Sequence, residues 1–190
     1  MLSHSESPIF SVDPDSGLVA PATQCPSPNC DARPVGAVPE LIVIHGISLP
    51  PGEFGGDAIR RLFCNQLLPD GHPYFAEIHH LRVSAHLLID RDGALTQFVP
   101  LHARAWHAGV SVWQGKERCN DFSIGIELEG TDDLAYSDAQ YRSLGDLIAA
   151  LRAGIPTLAE ADVVGHCDIA PGRKTDPGEA FDWSRIGVAR

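Results

Sequence analysis

The chain has 190 residues, 44% of them hydrophobic and 21% charged, enough to bury the core of one domain and too apolar overall for a disordered chain. Fourteen Lys and Arg against 25 Asp and Glu leave a formal charge of -11. That balance excludes an affinity built on neutralised phosphates, so no nucleic-acid partner is expected.

Residues 1–24 read as a polar amino-terminal arm and residues 25–190 as the folded domain. The first sixteen residues hold no Lys or Arg and no apolar run, and no segment reaches the roughly 18 apolar residues of a membrane span. Neither a secretory leader nor a membrane partner is expected, and a cytoplasmic chain is the simplest reading. Cys25, Cys30, Cys64, Cys119 and Cys167 are an odd, scattered set, poor material for a disulfide framework. Cys25 and Cys30 lack the second pair that would complete a structural zinc site, and they read as loop thiols.

The run Leu41-Ile42-Val43-Ile44-His45 is short, branched and bounded by Pro39 and Gly46, which predicts a central strand buried on both faces. A loop over 50–56 leads to a short helix over 57–67, capped by Asp57. Residues 69–82 read as a polar, aromatic loop. Two strands over 83–89 and 94–99 flank Asp90-Arg91-Asp92-Gly93, the firmest hairpin signal in the chain. Residues 100–122 show no period and carry Trp106, His107 and Trp113, the profile of a long binding loop. Ser123 to Gly130 alternates as a strand. Ser137 and Gln140 form a capping box for a helix whose stripe is Tyr141, Leu144, Ile148 and Leu151, ended by Gly154 and Pro156. A short strand at Val163 and Val164 runs into His166, and the carboxy terminus docks through Trp183. Strands alternating with helices make the class α/β, and the hairpin makes the central sheet mixed.

His45 and His166 each close a strand, and Asp176 lies ten residues beyond the second. Two imidazoles and a carboxylate with one position left open make a catalytic zinc set, and strand ends of a parallel sheet are where such sites collect. His86, His102, His107 and the His79-His80 pair are the competing histidines. No HExxH or HxxEH pattern, GxGxxG, GxxxxGK[ST] or GxSxG occurs, so helix-borne metalloprotease, dinucleotide, P-loop and serine-hydrolase readings lack support. Glu127, with Gly125 before it on the same strand face, is the leading acid/base candidate; Glu129 shares that face and competes with it. The plainer alternative is an edge strand with both carboxylates in water. Lys174 is placed to stabilise an oxyanion beside Asp176, or is a solvated loop lysine. Arg82 and Arg118 are candidate carboxylate clamps, and Trp106 and Trp113 candidate apolar walls for a sugar or peptide.

Four blocks carry a resemblance: IVIHGISLPPGEFGG (42–56), HPYFAEIHHLRVSAHLLIDRDG (72–93), RAWHAGVSVWQGKERCNDFSIGIELEGTDDLAYSDAQY (104–141) and GHCDIAPGRKTDPGEAFDW (165–183). They closely resemble the cytoplasmic zinc amidases that act on 1,6-anhydro-N-acetylmuramyl peptides. Those belong to the type 2 N-acetylmuramoyl-L-alanine amidase family, together with phage amidases and peptidoglycan recognition proteins. The resemblance covers roughly residues 25–188. It implies a single domain with a central mixed sheet flanked by helices, and a Zn2+ cofactor held by His45, His166 and Asp176. It also assigns Glu127 as catalytic acid/base, Lys174 as charge stabiliser, and Arg82, Trp106, Ala108 and Arg118 to the muropeptide groove. The implied substrate is a small anhydro-muropeptide of peptidoglycan recycling, cleaved by a monomer whose activity restrains β-lactamase induction where that circuit exists. A general amidase on non-anhydro muropeptides and a non-catalytic peptidoglycan-binding protein are the alternatives. Gly46 stands where relatives often carry asparagine, which leaves the local hydrogen bonding beside the first ligand to be explained.

Overall fold

A computed structural model describes residues 9–189. The elements in chain order are β1 (Ser11–Asp13), β2 (Leu18–Ala20), β3 (Thr23–Gln24), β4 (Cys30–Ala32), β5 (Leu41–Ile47), α1 (Ala58–Phe63) and α2 (Pro73–Ile78). They continue as β6 (Leu87–Ile89), β7 (Leu95–Gln97), β8 (Ala103–Ala105), β9 (Val112–Trp113), β10 (Lys116–Glu117), β11 (Ser123–Glu129), α3 (Asp138–Gly154), β12 (Asp162–Gly165) and α4 (His166–Ile169).

Six strands form the main sheet in the order β12-β5-β11-β6-β7-β3. The first four are parallel, β6 and β7 form the antiparallel hairpin, and β3 runs parallel to β7. The expected mixed sheet is the one observed. Strands β5 and β11 are each paired on both sides, and period-two alternation divides their side chains between two environments. Ile42, Ile44, Ile124, Ile126 and Leu128 pack with Leu144, Leu147, Ile148 and Leu151 of α3 in one apolar cluster. The opposite face carries Leu41, Val43 and His45 on β5, and Ser123, Gly125, Glu127 and Glu129 on β11. There Leu41 and Val43 meet Ala108, Cys119 and Phe122 from the segment before β11 and Ile169 from α4. Every residue of β11 is buried, which overturns the edge-strand alternative.

Helix α3 begins with the expected capping box: Ser137 Oγ accepts from Gln140 N–H at 3.1 Å, and Gln140 Oε1 accepts from Ser137 N–H at 3.0 Å. The hairpin β1–β2 lies against α3, and Phe10 and Val19 join the main cluster. The arm's first eight residues lie outside those described.

Several elements differ from expectation. Helix α1 ends at Phe63, because Asn65 adopts φ 59°, and Asp57 binds Arg61 Nε at 2.7 Å instead of capping the helix. Helix α2 occupies part of the expected 69–82 loop; Pro73 starts it and His72 Nδ1 accepts from Tyr74 N–H at 3.1 Å. The hairpin strands are three residues each, shorter than predicted. The 100–122 segment contains β8, β9 and β10, and its irregular backbone is pinned by Arg33. That guanidinium donates to the carbonyls of Asn120, Asp121, Leu101 and Ser123 at 2.9–3.2 Å. Burial lowers its pKa to about 10. At the carboxy terminus Phe181 is the buried anchor, with Trp183 half-buried beside it.

Leu144 is fully buried between α3 and the sheet. Leu144→Ala should lower unfolding free energy by about 2–5 kcal/mol in denaturant titration. A loss below about 1 kcal/mol would show that α3 is not docked as described.

Candidate metal centre

Parallel pairing brings the carboxyl ends of β5, β11 and β12 to one edge of the sheet. His45 lies near the end of β5, directly opposite Glu127 of β11 in the strand register. His166 does not close β12 as expected; Gly165 ends the strand and His166 opens α4. Asp176 returns on the following loop, whose carbonyl accepts from Cys167 N–H at 3.0 Å. Residues 121 positions apart in sequence thereby become neighbours.

His45 Nδ1 lies 3.0 Å from His166 Nδ1 and 3.2 Å from Asp176 Oδ2, and His166 Nδ1 lies 3.1 Å from the same oxygen. Among the described residues this is the one group of three or more His, Cys, Asp or Glu side chains whose donor atoms converge in this way. Ligands at about 2.05 Å from a tetrahedral ion are about 3.3 Å apart, close to the edges of this triangle. The chemistry of the set fits as well. His166 Nε2 faces the Ala108 carbonyl at 3.2 Å and so carries the ring's proton, which leaves Nδ1 as a bare acceptor. Burial pushes His45 down to about 4, so at neutral pH the ring is uncharged. Burial alone would raise the Asp176 carboxyl, but the neighbouring His166 and His45 hold it well below the usual range. A carboxylate and two imidazole nitrogens aimed at one point are ligands for Zn2+, which takes N and O donors tetrahedrally.

The ligands line a cavity of about 300 Å³ together with Glu127, Trp106, His107 and Lys174. The two strand carboxylates have different surroundings. Glu129 Oε1 accepts from Gly55 N–H at 2.5 Å and Oε2 from Arg91 N–H at 3.3 Å, so it ties down the 50–56 loop. Glu127 is buried and its Oε2 has no hydrogen-bond partner. Burial raises its pKa well above 4.5, nearby Asp176 raises it further, and Lys174 partly offsets both. An unpartnered buried oxygen beside a ligand triangle calls for a partner supplied from outside the chain.

Trp106 forms part of the cavity wall and its indole N–H donates to Asp31 Oδ1 at 3.2 Å. The other expected groove residues sit elsewhere. Ala108 is fully buried and presents its carbonyl to His166 rather than a side chain to the cavity. Arg82 is exposed and donates to the carbonyls of His80 and Leu81 at 3.1 and 3.3 Å. Arg118 faces Asp121 at 3.3 Å and lines a separate cavity. Gly46 is explained by Tyr136, whose hydroxyl donates to the Pro177 carbonyl at 2.9 Å; a Cβ at position 46 would strike that hydroxyl.

His107 is the residue that sequence reasoning underrated. It is half-buried with Nδ1 2.9 Å from His45 Nε2, and its ring fills the space that Gly125 leaves open; a Cβ there would approach the ring to 2.5 Å. The small residue on a site-facing strand was the available signal, but it makes room for a histidine and not for a ligand. His86 is fully buried: Nδ1 accepts from Gly125 N–H at 3.0 Å and Nε2 lies 3.2 Å from the Ala103 carbonyl.

Residues 35–179 match the family model described as N-acetylmuramoyl-L-alanine amidase. The chain is 61% identical over 173 residues to the 1,6-anhydro-N-acetylmuramyl-L-alanine amidase AmpD of Salmonella typhimurium, covering 91% of this chain and 92% of that one. It superposes on the crystal structure of a selenomethionine AmpD derivative with a TM-score of 0.88 at 59% identity, covering 92% of this chain and 96% of that one. It also resembles, at a TM-score of 0.56 and 28% identity, the amidase AmiD of E. coli. That structure is a complex with the substrate anhydro-N-acetylmuramic acid-L-Ala-D-γ-Glu-L-Lys, and the match covers 82% of this chain and 59% of that one.

A carboxyl group whose pKa is raised on folding costs stability as pH rises from its unfolded value toward its folded value. In zinc-free protein, Glu127→Gln should therefore raise the melting temperature at pH 7. That advantage should shrink as pH falls toward 4.5 and vanish below it, where wild-type Glu127 is protonated folded and unfolded alike. An equal offset at pH 7 and pH 4, read by scanning calorimetry, would place Glu127 in water and not in the cavity.

Proposed function

This chain belongs to the N-acetylmuramoyl-L-alanine amidase family, and on that premise we propose that it hydrolyses the amide between the lactyl group of 1,6-anhydro-N-acetylmuramic acid and the L-alanine of its stem peptide. The observation that carries the reading is the unpartnered Glu127 oxygen in the same cavity as the His45, His166 and Asp176 triangle.

His45, His166 and Asp176 hold the ion. Bound there, zinc supplies a Lewis acid that polarises the scissile carbonyl and acidifies water. Glu127 takes the proton of the attacking water through its free oxygen and passes one to the departing alanine amine. The raised pKa suits both halves of that exchange, since the group must accept a proton and then give it up. The Lys174 ammonium, on the exposed side of the cavity, faces the oxygen that gains charge as the carbonyl becomes tetrahedral. Trp106 offers an apolar wall to the sugar or the lactyl group. Arg82 and Arg118 lie outside the cavity lining, and they meet the stem carboxylates only where the substrate extends beyond it.

The substrate is a small muropeptide, and a monomer is the working state that this reading takes. Among the described residues no helix is long and apolar enough to cross a membrane. The compartment that goes with this reading is the cytoplasm, where recycled anhydro-muropeptides are the available substrate.

The test is a paired assay on anhydro and non-anhydro muropeptides, with products read by mass spectrometry and zinc by a metal assay on the same sample. Ala at His45, His166 or Asp176 should abolish zinc retention and turnover together. Glu127→Ala should keep zinc and lose about 10²- to 10⁴-fold in rate, and Lys174→Gln about 10²-fold. Muropeptide bound but not cut by the zinc-loaded protein would mean a binding protein instead. Equal rates on both sugars would remove the anhydro preference.

A further inference from the structure

His45 must present an unprotonated Nδ1 to the ion, and an imidazole carries its single proton on either nitrogen. The chain contains a device that decides which. Ser123 Oγ lies 2.6 Å from the Cys119 carbonyl, which can only accept, so the hydroxyl proton points there. The hydroxyl's remaining capacity is to accept, and its other neighbour is His107 Nε2 at 3.1 Å, which is therefore the protonated nitrogen of that ring. His107 Nδ1 is then an acceptor, and at 2.9 Å it draws the proton of His45 to Nε2. His45 Nδ1 is left bare, facing His166 and Asp176. The direction of every link follows from the backbone carbonyl at its far end.

The next residue does the same for the second imidazole. The Ala108 carbonyl takes the His166 Nε2 proton at 3.2 Å. Asn120 Oδ1 accepts from both backbone N–H groups of the pair, His107 at 3.0 Å and Ala108 at 2.8 Å. Arg173 grips the Ala108 carbonyl at 2.6 Å. Gly125 leaves the His107 ring its place.

We propose that the His107-Ala108 dipeptide, directed by Ser123 and pinned by Asn120, is the positioning element of the zinc centre, setting both histidine ligands in the tautomer that coordinates through Nδ1. Orienting partners of this kind carry about 10- to 100-fold in metal affinity. The inference rests on the metal-centre reading above and adds residues that do not themselves ligate the ion.

The test uses the full chain and zinc alone. Competition with a fluorescent zinc chelator should give His107→Phe a dissociation constant about 10- to 100-fold weaker than wild type. His107→Asn, whose side-chain oxygen can still accept from His45, should recover part of that loss. Long-range 15N NMR of wild-type zinc-free protein should show His45 protonated at Nε2, and Ser123→Ala should mix its tautomers. Unchanged zinc affinity in a folded His107→Phe protein overturns the proposal, and so does a wild-type His45 protonated at Nδ1. Should His107→Phe not fold, the wild-type spectrum and Ser123→Ala decide alone. A wild-type protein that binds no zinc would instead overturn the metal centre, while its tautomer spectrum would still decide the relay.

Discussion

Three lone pairs are held within about 3 Å of one another in a buried place, and without a cation between them they repel. That constraint organises the rest of the molecule. A rigid sheet must deliver one ligand on β5 and another just past the end of β12, a loop must deliver the third, and each imidazole must be kept from turning its proton inward. The parallel core supplies the first requirement. Strand β5 sits between β12 and β11, packed on one face by α3 and on the other by the loops, so its end has little freedom. Tyr136 supplies part of the second by joining the start of α3 to Pro177, the residue after Asp176.

The polar face of β11 is where stability and chemistry separate. Glu129 and Glu127 point the same way two residues apart. One has both oxygens engaged by the backbone of neighbouring loops, and the other keeps an oxygen unmet. The molecule thus carries one buried carboxylate that works for the fold and one that works against it. A raised proton affinity is the physical sign of that tension, and it is also the property that acid/base transfer requires.

The legible parts of this architecture were those with a strong local signal. A branched apolar run such as Leu41–Ile44 is specific to a doubly buried strand, and its closing histidine is conspicuous. The capping box of α3 involves residues three apart, so the sequence displays it directly. Alternation could put Glu127 and Glu129 on one face but could not separate them, because Gly55 and Arg91, which engage Glu129, are distant in sequence. Helix α2 is six residues long, too short for a stripe. The 100–122 segment is ordered by Arg33, a residue some seventy to ninety positions upstream. His107 was one histidine among nine in an aperiodic stretch. Its meaning comes from Ser123 and His45, which only the folded sheet brings to it.

The span between the histidine ligands has a consequence for the lifetime of the protein. An ion that joins His45 to His166 links most of the chain in a single crosslink, and anything bound only by the folded form draws the population toward that form. Zinc starvation therefore does more than idle the enzyme. It leaves a protein that opens more often and is degraded sooner, so scarcity of the metal thins the stock of enzyme as well as silencing it.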